Sequence, residues 1–389
     1  MEQVTAHRTV HCAAFAGSGA IPVRVQVGEP ITSVQVSPAS LDVAATVDGS
    51  SARFTLPQPT KVIVFVATAA GALDPLYLLV DEPEVDPPTS STPNVQYFAA
   101  GTHDAGEISL TDGDTMYLAA GALVTGRVTA DGAKNITVSG RGILRGPDDS
   151  DSVIRLRDCT GVTVDGISVR NPFGVWTSVF DGCTNVTARN LNVFSFTVNG
   201  DGIDPVGCTN VSIDRCLIST GDDCIAIKSM GSNVANIEVS RTVLETYPST
   251  GAGEGGDGVK IGTESDCADI SGIHVHDCDV VRCYGENSWD GSAALSILPK
   301  GDRVHVHDVR YNNIRVENRI QHTNFQIRVL GSGTVSDVTL TNVTWDATRA
   351  ISLVGPVVRV TFAGCAVAGR PVVAAQVNTS DGAATPTQS

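Results

Sequence analysis

An internal repeat of about 20 to 30 residues is the feature that most restricts what this chain can fold into. Short runs that alternate apolar and polar residues recur along most of the sequence. The clearest copies are 159–164 (CTGVTV), 183–188 (CTNVTA) and 208–213 (CTNVSI), with weaker copies at 134–138, 235–239, 271–275, 303–306 and 335–340. Because a unit of this length cannot bury its apolar face alone, successive units are expected to stack into a solenoid.

The repeat units favour one kind of solenoid. Each copy is followed by a second short strand, such as 166–169 (GISV) or 217–219 (LIS), and coils of this kind stack about 4.8 Å apart. The Leu-x-x-Leu-x-Leu skeleton of leucine-rich repeats and the long blades of propellers do not occur. The abundance of Gly (39) and scarcity of aromatic residues (5%) also favour an all-β protein. We predict a right-handed parallel β-helix of roughly nine to ten coils.

The N-terminal region has a different pattern. Residues 8–80 alternate in short runs, such as 23–27 (VRVQV) and 61–66 (KVIVFV), separated by Gly, Pro and Asp turns, which is typical of a small antiparallel β-sandwich. An acidic, proline-rich stretch follows, typical of an extended connector. We therefore predict a sandwich over 1–82, a linker over 83–94, the β-helix over 95–379 and a flexible tail over 380–389.

The net charge disfavours nucleic-acid and membrane partners, and the composition of the first residues leaves the cellular location open. The formal charge of −16 disfavours nucleic acid and anionic membranes, and no apolar stretch reaches the roughly 18 residues of a membrane span. The first 17 residues have neither a basic nor an apolar segment of a signal peptide. This predicts a cytoplasmic protein if Met1 is the native start, and a secreted one if a signal peptide has been removed.

Cysteine and histidine spacing does not indicate a metal or redox site. Three of the ten cysteines share one repeat position, which favours buried thiols, although some disulfides remain an alternative. No Cys-x-x-Cys pair is present. The alternating histidines are interpreted as surface residues on outward strand positions: His274, His276, His305 and His307. We predict no metal and no cofactor.

Three successive coils carry acids beside glycines: 199–204 (NGDGID), 221–228 (GDDCIAIK) and 256–262 (GDGVKIG). Aligning their apolar residues places Ile203, Ile225 and Val259 in one column. The same alignment stacks three acids in the adjacent column, with Asp222 alongside: Asp201, Asp223 and Asp257. Carboxylates on adjacent rungs repel one another, which raises at least one pKa and can keep one acid protonated while another is ionised.

Such a pair can protonate a leaving oxygen and activate a water molecule. In inverting glycosidases the two carboxyl groups lie roughly 6.5 to 9.5 Å apart, a distance that neighbouring rungs can provide. The alternative is that these acids cap turns or bind Ca²⁺. That reading is equally good for Asp204 or Asp257 alone, whereas the group Asp201, Asp222 and Asp223 favours catalysis, because adjacent acids bracketed by apolar residues are costly unless they are used.

The motifs in this region resemble those of the polygalacturonase-type β-helix glycosidases and their relatives, the dextranases and isopullulanases. The Asn-x-Asp-Gly pattern is matched at 199–202 and the Asp-Asp pair at 222–223, and the resemblance covers residues from about 95 to 370. It implies that Asp222 is the general acid and that Asp201 and Asp223 hold the attacking water. It also implies an inverting glycoside hydrolase without a cofactor.

Two departures from the family pattern bear on the substrate. Where polygalacturonases carry Gly-His-Gly, residues 256–258 read Gly-Asp-Gly, and where an Arg-Ile-Lys motif grips the substrate carboxylate, 293–297 read AALSI. Without this clamp an acidic sugar would face a row of aspartates, which favours a neutral glycan such as a dextran-type α-glucan. The dextranase group also has a sandwich before its β-helix. Galacturonan remains the alternative, since other basic residues could substitute: Lys228, Lys260, Lys300 and Arg328.

Several residues are predicted to bind substrate: Asn199, Asp204, Lys228, Asp257, Lys260 and Trp289. Lys260 points outward by alternation, so it either contacts a sugar hydroxyl or is simply solvated. Trp289 and Tyr284 lie in one loop, where an aromatic face stacks on a sugar or anchors the loop, and Trp176 is either a sugar platform or a core residue.

Two other functional classes remain open at this stage. A polysaccharide lyase or epimerase on the same fold would need Ca²⁺ with a basic Arg or Lys, or a Tyr/His pair, near the acids. A non-catalytic β-helix binding protein predicts that the acids can be replaced without loss of function. We expect a carbohydrate substrate, no nucleic-acid partner and no membrane association, and the sequence gives no oligomeric state.

Overall fold

The chain folds into two compact units, Met1–Pro87 and Pro88–Ser389. The computed structural model describes residues 2–5, 8–149, 151–247, 255–267, 269–283, 293–301, 303–317 and 323–388. The division between the units falls inside the segment 83–94 that the sequence predicts to be a linker. The first strand of the larger unit begins at Val95.

The smaller unit is built from nine strands and one short 3₁₀ helix, Ala39–Leu41. The strands are β1 (Glu2–Thr5), β2 (Arg8–Ala16), β3 (Ile21–Gln26), β4 (Ile31–Ser37), β5 (Thr46–Asp48), β6 (Ser51–Leu56), β7 (Lys61–Thr68), β8 (Gly71–Ala72) and β9 (Leu76–Asp81). One sheet has the order β1-β2-β9-β7-β4, with β8 beside β7, and the other has the order β3-β6-β5. All pairings are antiparallel except β2 with β9.

The alternating pattern of the first 80 residues explains why these two sheets form a sandwich. In β6, Ala52, Phe54 and Leu56 are buried while the residues between them are exposed. In the larger sheet, Val62 and Val64 of β7 belong to the same apolar cluster. One face of each sheet is therefore removed from water, which confirms the small β-sandwich predicted from the sequence.

The larger unit contains thirty-three strands within its described residues and a second 3₁₀ helix, Ala374–Gln376. Its first half comprises β10 (Val95–Phe98), β11 (Gly101–Ser109), β12 (Thr115–Leu118), β13 (Ala122–Asp131), β14 (Thr137–Gly140), β15 (Ile143–Arg145), β16 (Ile154–Arg157), β17 (Thr160–Asp165), β18 (Ser168–Asn171), β19 (Ser178–Asp181), β20 (Thr184–Arg189), β21 (Asn192–Ser195), β22 (Ile203–Val206), β23 (Thr209–Asp214), β24 (Leu217–Thr220), β25 (Ile225–Ile227), β26 (Val234–Ser240) and β27 (Val243–Thr246). Its second half comprises β28 (Val259–Ile261), β29 (Asp269–His276), β30 (Asp279–Arg282), β31 (Ala293–Ile297), β32 (His305–Asn312), β33 (Arg315–Val316), β34 (Thr323–Arg328), β35 (Thr334–Thr341), β36 (Thr344–Trp345), β37 (Ile351–Val354), β38 (Val357–Ala363), β39 (Ala366–Val367), β40 (Arg370–Pro371), β41 (Val377–Ser380) and β42 (Thr387–Gln388).

These strands wind into the right-handed parallel β-helix that the sequence predicts, and this β-helix has three faces. Face A is a twelve-stranded sheet of β10, β12, β14, β17, β20, β23, β26, β29, β32, β35, β38 and β42. Face B comprises β15, β18, β21, β24, β27, β30, β33, β36 and β39, and face C comprises β16, β19, β22, β25, β28, β31, β34, β37 and β41. The long strand β13 pairs with both β15 and β16, so it joins faces B and C at one end.

The repeated residues occupy repeated positions in the coils. Val186 lies between Val162 and Val211 on face A, and all three are buried in one continuous core. Near the start of these strands, the side-chain amide of Asn210 donates to Asn185 at 3.1 Å, and that of Asn236 donates to Asn210 at 3.0 Å. Each of these asparagines has a positive φ near 58°, a conformation that Asn tolerates better than most residues. The repeat therefore specifies both an inward column and a row of hydrogen-bonded asparagines near the start of the strands.

All ten cysteines are free thiols, and nine of them are buried. The thiol of Cys183 lies 3.4 Å from the carbonyl oxygen of Leu156, and that of Cys208 lies 3.1 Å from the carbonyl oxygen of Phe180. Both thiols thus donate to the preceding coil. The structure agrees with the buried-thiol interpretation rather than the disulfide alternative.

The C-terminal segment differs from its prediction. Residues 380–389 were expected to be a flexible tail, but Thr387 and Gln388 pair with Thr361 and Phe362 of face A. Their backbone groups satisfy the edge of the last complete coil, which explains why a polar segment is ordered there. Within the described ranges, no helix is long and apolar enough to span a membrane.

Candidate active site

The clustered acids lie where each coil turns from face B into face C. Asp201 precedes β22, Asp222 and Asp223 precede β25, and Asp257 precedes β28. The predicted apolar column is confirmed, because Ile203 pairs with Ile225 and Ile225 with Val259. With these residues fixed inward, the acids on adjacent coils are aligned by the backbone: the amide of Gly202 donates to the carbonyl of Asp223 at 2.9 Å, and that of Cys224 to Asp257 at 2.9 Å.

Three carboxylates meet at this turn. One side-chain oxygen from each of Asp201, Asp222 and Asp223 lies within 4.8 Å of the others. Asp201 and Asp223 are buried, whereas Asp222 is half-buried. The side chain of Asp222 accepts two backbone hydrogen bonds, from Asn199 at 3.1 Å and from Asp223 at 3.0 Å. These bonds fix the carboxyl group of Asp222 beside the other two acids.

Lys228 neutralises one side of the cluster. Its ammonium group lies 3.0 Å from Asp201, 3.1 Å from Asp204 and 3.2 Å from Glu264. The same group lies 3.9 Å from the ring centroid of Trp176, a cation–π contact. Lys228 is only 1% exposed. Its charge is therefore committed to carboxylates of the site and to an aromatic ring.

Lys260 neutralises the other side. Its ammonium group lies 3.0 Å from Asp223 and 3.8 Å from Asp257. Asp257 is fully buried, and its carboxylate accepts hydrogen bonds from the amide of Ala293 at 2.8 Å and from the hydroxyl of Ser296. The amide of Asp257 in turn donates to Asp223 at 2.7 Å. Asp223 is thus held by contacts from the coil that follows it.

The surroundings raise the pKa values of four groups in this cluster. Burial raises the pKa of Asp222 well above its usual range, and the charges of Asp201 and Asp223 raise it further. Burial also raises the pKa of Asp201, although Lys228 opposes the shift, and it raises the pKa of Asp257 to about 7 against the influence of Lys260. Burial alone would lower the pKa of Lys228, but its carboxylate partners raise it above its ordinary value. Lys228 can therefore serve as a fixed positive charge while one acid stays protonated.

The structure brings most of the predicted site residues together. Asp201, Asp222, Asp223, Lys228 and Lys260 lie within one cluster, and the exposed Asn199 joins it through its backbone amide. Their chemical roles stay predictions. Trp289 and Tyr284 lie outside the described residues.

Two predicted substrate-binding residues are placed differently from expectation. Asp204 and Asp257 are 0% exposed and contact Lys228 and Lys260 respectively. A fully buried carboxylate has no face left for a sugar hydroxyl. The geometry instead makes them supports that hold the two lysines in place. Lys260 points outward from the strand as predicted, but it lies under the acids and is 3% exposed, so it is not simply solvated.

Sequence reasoning missed Glu264 and Ser296. Glu264 has a positive φ of 51° and reaches Lys228 from the turn after β28, while Ser296 bonds Asp257 from β31. Neither belongs to the acidic motifs, and only the stacking of coils brings them to the site. Trp176 has a positive φ of 46° and is partly exposed, which favours a wall of the site over the core.

The segment that should carry the basic clamp is apolar and buried. Residues Ala293–Ile297 form β31, in which Leu295 pairs with Val259 and Ser296 pairs with Lys260. No Lys or Arg stands in this strand. On the two preceding coils, Lys228 and Lys260 are already paired with aspartates.

Two clusters among the described residues could hold a metal ion. One is the acidic group Asp201, Asp222 and Asp223, whose all-carboxylate character would suit a hard cation. The other lies on face A and consists of Asp269, His305 and His307. In the acidic group, Lys228 and Lys260 already supply positive charge where a cation would sit.

The family model and similar curated proteins point to the same family of glycosyl hydrolases. The family model of the glycosyl hydrolases family 28 matches residues 119–353, more than half of the chain. Polygalacturonase-2 of Solanum lycopersicum is 23% identical over 238 residues, which is 56% of this chain and 50% of that protein. A polygalacturonase of Persea americana is 28% identical over 170 residues, which is 43% of this chain and 33% of that protein. The chain thus matches half or less of the length of these curated relatives.

Solved structures share the fold. Dex49A from Penicillium minioluteum superposes with a TM-score of 0.66 at 15% identity, over 97% of this chain and 83% of that one. The exopolygalacturonase from Thermotoga maritima gives a TM-score of 0.56 at 17% identity, over 70% of this chain and 80% of that one. At these identities the similarity establishes the architecture alone.

Proposed function

Since the chain belongs to the glycosyl hydrolases family 28, we propose that it is a glycoside hydrolase in which Asp222 is the general acid and Asp201 with Asp223 activates the attacking water. The observation that carries this assignment is the placement of the two buried lysines. Lys228 contacts Asp201 and Lys260 contacts Asp223, each at 3.0 Å, whereas no ion pair to Asp222 is found within the described ranges.

This unequal pairing separates the protonation states of the three acids. An ammonium at 3.0 Å favours the ionised form of a carboxylate, so Asp201 and Asp223 are the members suited to act as bases. Asp222 is flanked by two negative charges and partly removed from water, so it retains its proton. A protonated acid beside an ionised pair is what cleavage of a glycosidic bond requires.

The proposed reaction is a direct displacement with inversion. Asp222 donates its proton to the leaving oxygen, and a water molecule held by Asp201 and Asp223 attacks the anomeric carbon from the opposite side. The base accepts the proton of this water, so one proton enters the leaving group and one leaves the nucleophile. No metal or organic cofactor takes part, because the charges that the reaction needs are supplied by the acids and lysines.

We propose a neutral glycan as the substrate. Even when Asp222 and Asp257 are protonated, the three remaining aspartates and Glu264 outnumber the two lysines of this cluster, so a negatively charged sugar would be repelled. Neither lysine is available to pair with a uronate, since each already contacts at least two carboxylates. A dextran-type α-glucan fits this surface, and the sandwich-plus-helix plan shared with Dex49A is consistent with it.

Galacturonan is the second candidate, and the relatives favour it. Both curated relatives described above are named polygalacturonases. For this chain to act on galacturonan, basic residues outside the two buried lysines would have to hold the substrate carboxylate. Arg328 at the end of β34 and Lys300 after β31 lie on the coils that follow the acids.

Sugar release from a glycan panel tests both parts of the proposal. The panel would contain dextran, pullulan, polygalacturonate and their short oligosaccharides, and it would compare the native protein with Asp222→Asn. We expect release from a neutral glucan, persistence of activity in a chelator, an inverted product by proton NMR, and loss of activity in the variant. Release from polygalacturonate alone would overturn the neutral substrate, and a trapped covalent glycosyl-enzyme would overturn inversion. Full activity of Asp222→Asn would overturn the acid assignment, and an unsaturated uronate product would identify a lyase.

A further inference from the structure

A group of potential metal ligands lies on face A, apart from the acidic cluster. His305 and His307 are two residues apart on β32, so both side chains leave the same side of the strand. Asp269 stands opposite His305 on the neighbouring strand β29. One nitrogen from each ring and one oxygen of Asp269 all lie within 4.8 Å of one another.

We propose that Asp269, His305 and His307 bind a divalent transition-metal ion such as Zn²⁺ or Co²⁺. Two imidazoles and one carboxylate are the ligand types that these ions prefer, whereas Ca²⁺ and Mg²⁺ prefer oxygen ligands alone. Three protein ligands leave further positions for water, and all three residues are half-buried, so solvent can reach the ion. The site would tie two successive coils of the solenoid together.

The existing distances are close to those that a bound ion requires. Metal–ligand bonds of about 2.0 to 2.2 Å in a tetrahedral arrangement place neighbouring ligand atoms about 3.3 Å apart. The Nε2 atom of His307 now lies 2.8 Å from Oδ1 of Asp269, and the remaining separations do not exceed 4.8 Å. Small rotations of the side chains therefore suffice, without movement of the strands.

The surroundings hold the three ligands in place. The hydroxyl of Ser271 donates to the other oxygen of Asp269 at 2.7 Å, and the backbone amide of Asp269 donates to Asn233 at 3.1 Å. Nε2 of His305 lies 3.1 Å from the hydroxyl of Ser336 on β35. The rings of His305 and His307 are 4.5 Å apart and inclined by 31°. Hydrogen bonds to metal ligands of this kind fix their orientation.

A second histidine pair supplies an internal control. His274 and His276 have the same spacing on β29, with ring centroids also 4.5 Å apart and inclined by 31°. Both ring nitrogens of His276, however, contact carboxylates, Asp277 at 2.7 Å and Glu238 at 3.0 Å. An imidazole that donates from both nitrogens has no lone pair for a metal. The two pairs thus share strand geometry, but the contacts of both His276 nitrogens with carboxylates leave that ring without a lone pair for a metal.

Equilibrium dialysis with Zn²⁺ and the visible absorption of bound Co²⁺ test the proposal on the full chain. We expect one Zn²⁺ to bind at the His305 and His307 pair, and His307→Asn and Asp269→Asn each to weaken it at least about tenfold. His276→Asn should leave the affinity unchanged. Circular dichroism of each variant would establish that it is folded. His305→Asn provides a second ligand variant should His307→Asn fail to fold.

Several outcomes would overturn the proposal. These are the absence of Zn²⁺ binding up to about 1 mM, unchanged binding in His307→Asn, or loss of binding in His276→Asn. Binding that disappears only in Asp222→Asn would assign the ion to the acidic cluster. A second readout is thermal unfolding, because an ion that binds only the folded state raises Tm. We expect Zn²⁺ to raise the Tm of the native protein and not that of His307→Asn.

Discussion

Replacement of Asp222 by Asn should separate proton donation from every other contribution of the site. Asn has the same shape but no acidic proton, so the leaving oxygen would depart unprotonated. General acid catalysis contributes about 10² to 10⁴ in rate, or roughly 3 to 5 kcal/mol of barrier. Asp222 accepts hydrogen bonds from the backbone amides of Asn199 and Asp223 on two different carboxylate oxygens, and the single side-chain oxygen of Asn cannot accept both. We therefore also expect a loss of stability of about 1 to 3 kcal/mol.

The dependence of the rate on the leaving group distinguishes the acid from the bases. Aryl glycosides of the sugar that the native enzyme releases would be compared over a series of phenols of decreasing pKa. A good phenol leaves without a proton, so Asp222→Asn should approach native rates as the phenol becomes more acidic. Asp201→Asn should remain slow across the whole series, because water activation is still impaired.

One result would refute this reasoning directly. If Asp222→Asn is equally slow with every phenol while Asp201→Asn is rescued by the acidic ones, the roles of the two residues are reversed. Urea unfolding of both variants at the assay temperature would show that the rates belong to folded protein. Asp222→Ala, measured in parallel, controls for slow conversion of Asn back to Asp.

Three further perturbations follow from the contacts of the site. Lys228→Met removes the ammonium 3.0 Å from Asp201, so the pKa of Asp201 should rise further and the acidic limb of the kcat/KM profile should move to higher pH. In the folded state the pKa of Asp257 is about 7, which is above its value in the unfolded chain. The free energy of unfolding should therefore fall as pH rises from about 4 to 7, by an amount on the order of a few kcal/mol. Asp257→Asn mimics the protonated form and should flatten this dependence in urea titrations at pH values across that range. If the ring of Trp176 stacks on a sugar, Trp176→Ala should raise KM several-fold with little change in kcat, because a substrate contact is lost while the carboxyl groups remain.

Matched controls exist in the sandwich unit. Lys61 is a buried lysine paired with Asp81 at 2.8 Å, so Lys61→Met should alter stability without moving the pH profile. Phe15 is 42% exposed, and Phe15→Ala should leave KM unchanged. An unshifted profile in Lys228→Met would show that this lysine does not govern the protonation of the base. A kcat loss without a KM change in Trp176→Ala would argue against a sugar platform, and an unchanged slope in Asp257→Asn would assign the pH dependence to other acids.

Much of the architecture could be predicted from the sequence because its causes are local. In a strand every second side chain points to the same face, which places Val162, Val186 and Val211 in the core. The repeat length determines how many residues separate these inward positions. The alignment of Ile203, Ile225 and Val259 then determined which acids would be neighbours. Periodicity thus extended the prediction from the strands to the clustered carboxylates.

What the sequence could not supply is the depth and pairing of each side chain. Asp204 and Asp257 lie in the same kind of Gly-rich acidic motif as Asp222, yet both are fully buried and contact lysines, whereas Asp222 is half-buried. Glu264 reaches Lys228 only because the coils stack, across a separation of 36 residues. Burial and ion pairing depend on which groups lie above and below in space, and that information is absent from any single segment.

The sequence by itself determined the solenoid, its inward columns and the row of acids, since each follows from periodic placement along one chain. Only the tertiary structure decided which acids are neutralised. Lys228 and Lys260 are both in acidic motifs, but the distances that assign one to Asp201 and the other to Asp223 arise between coils. Electrostatic energy depends on separation in space and on removal from water, and these two quantities exist only once the coils have stacked.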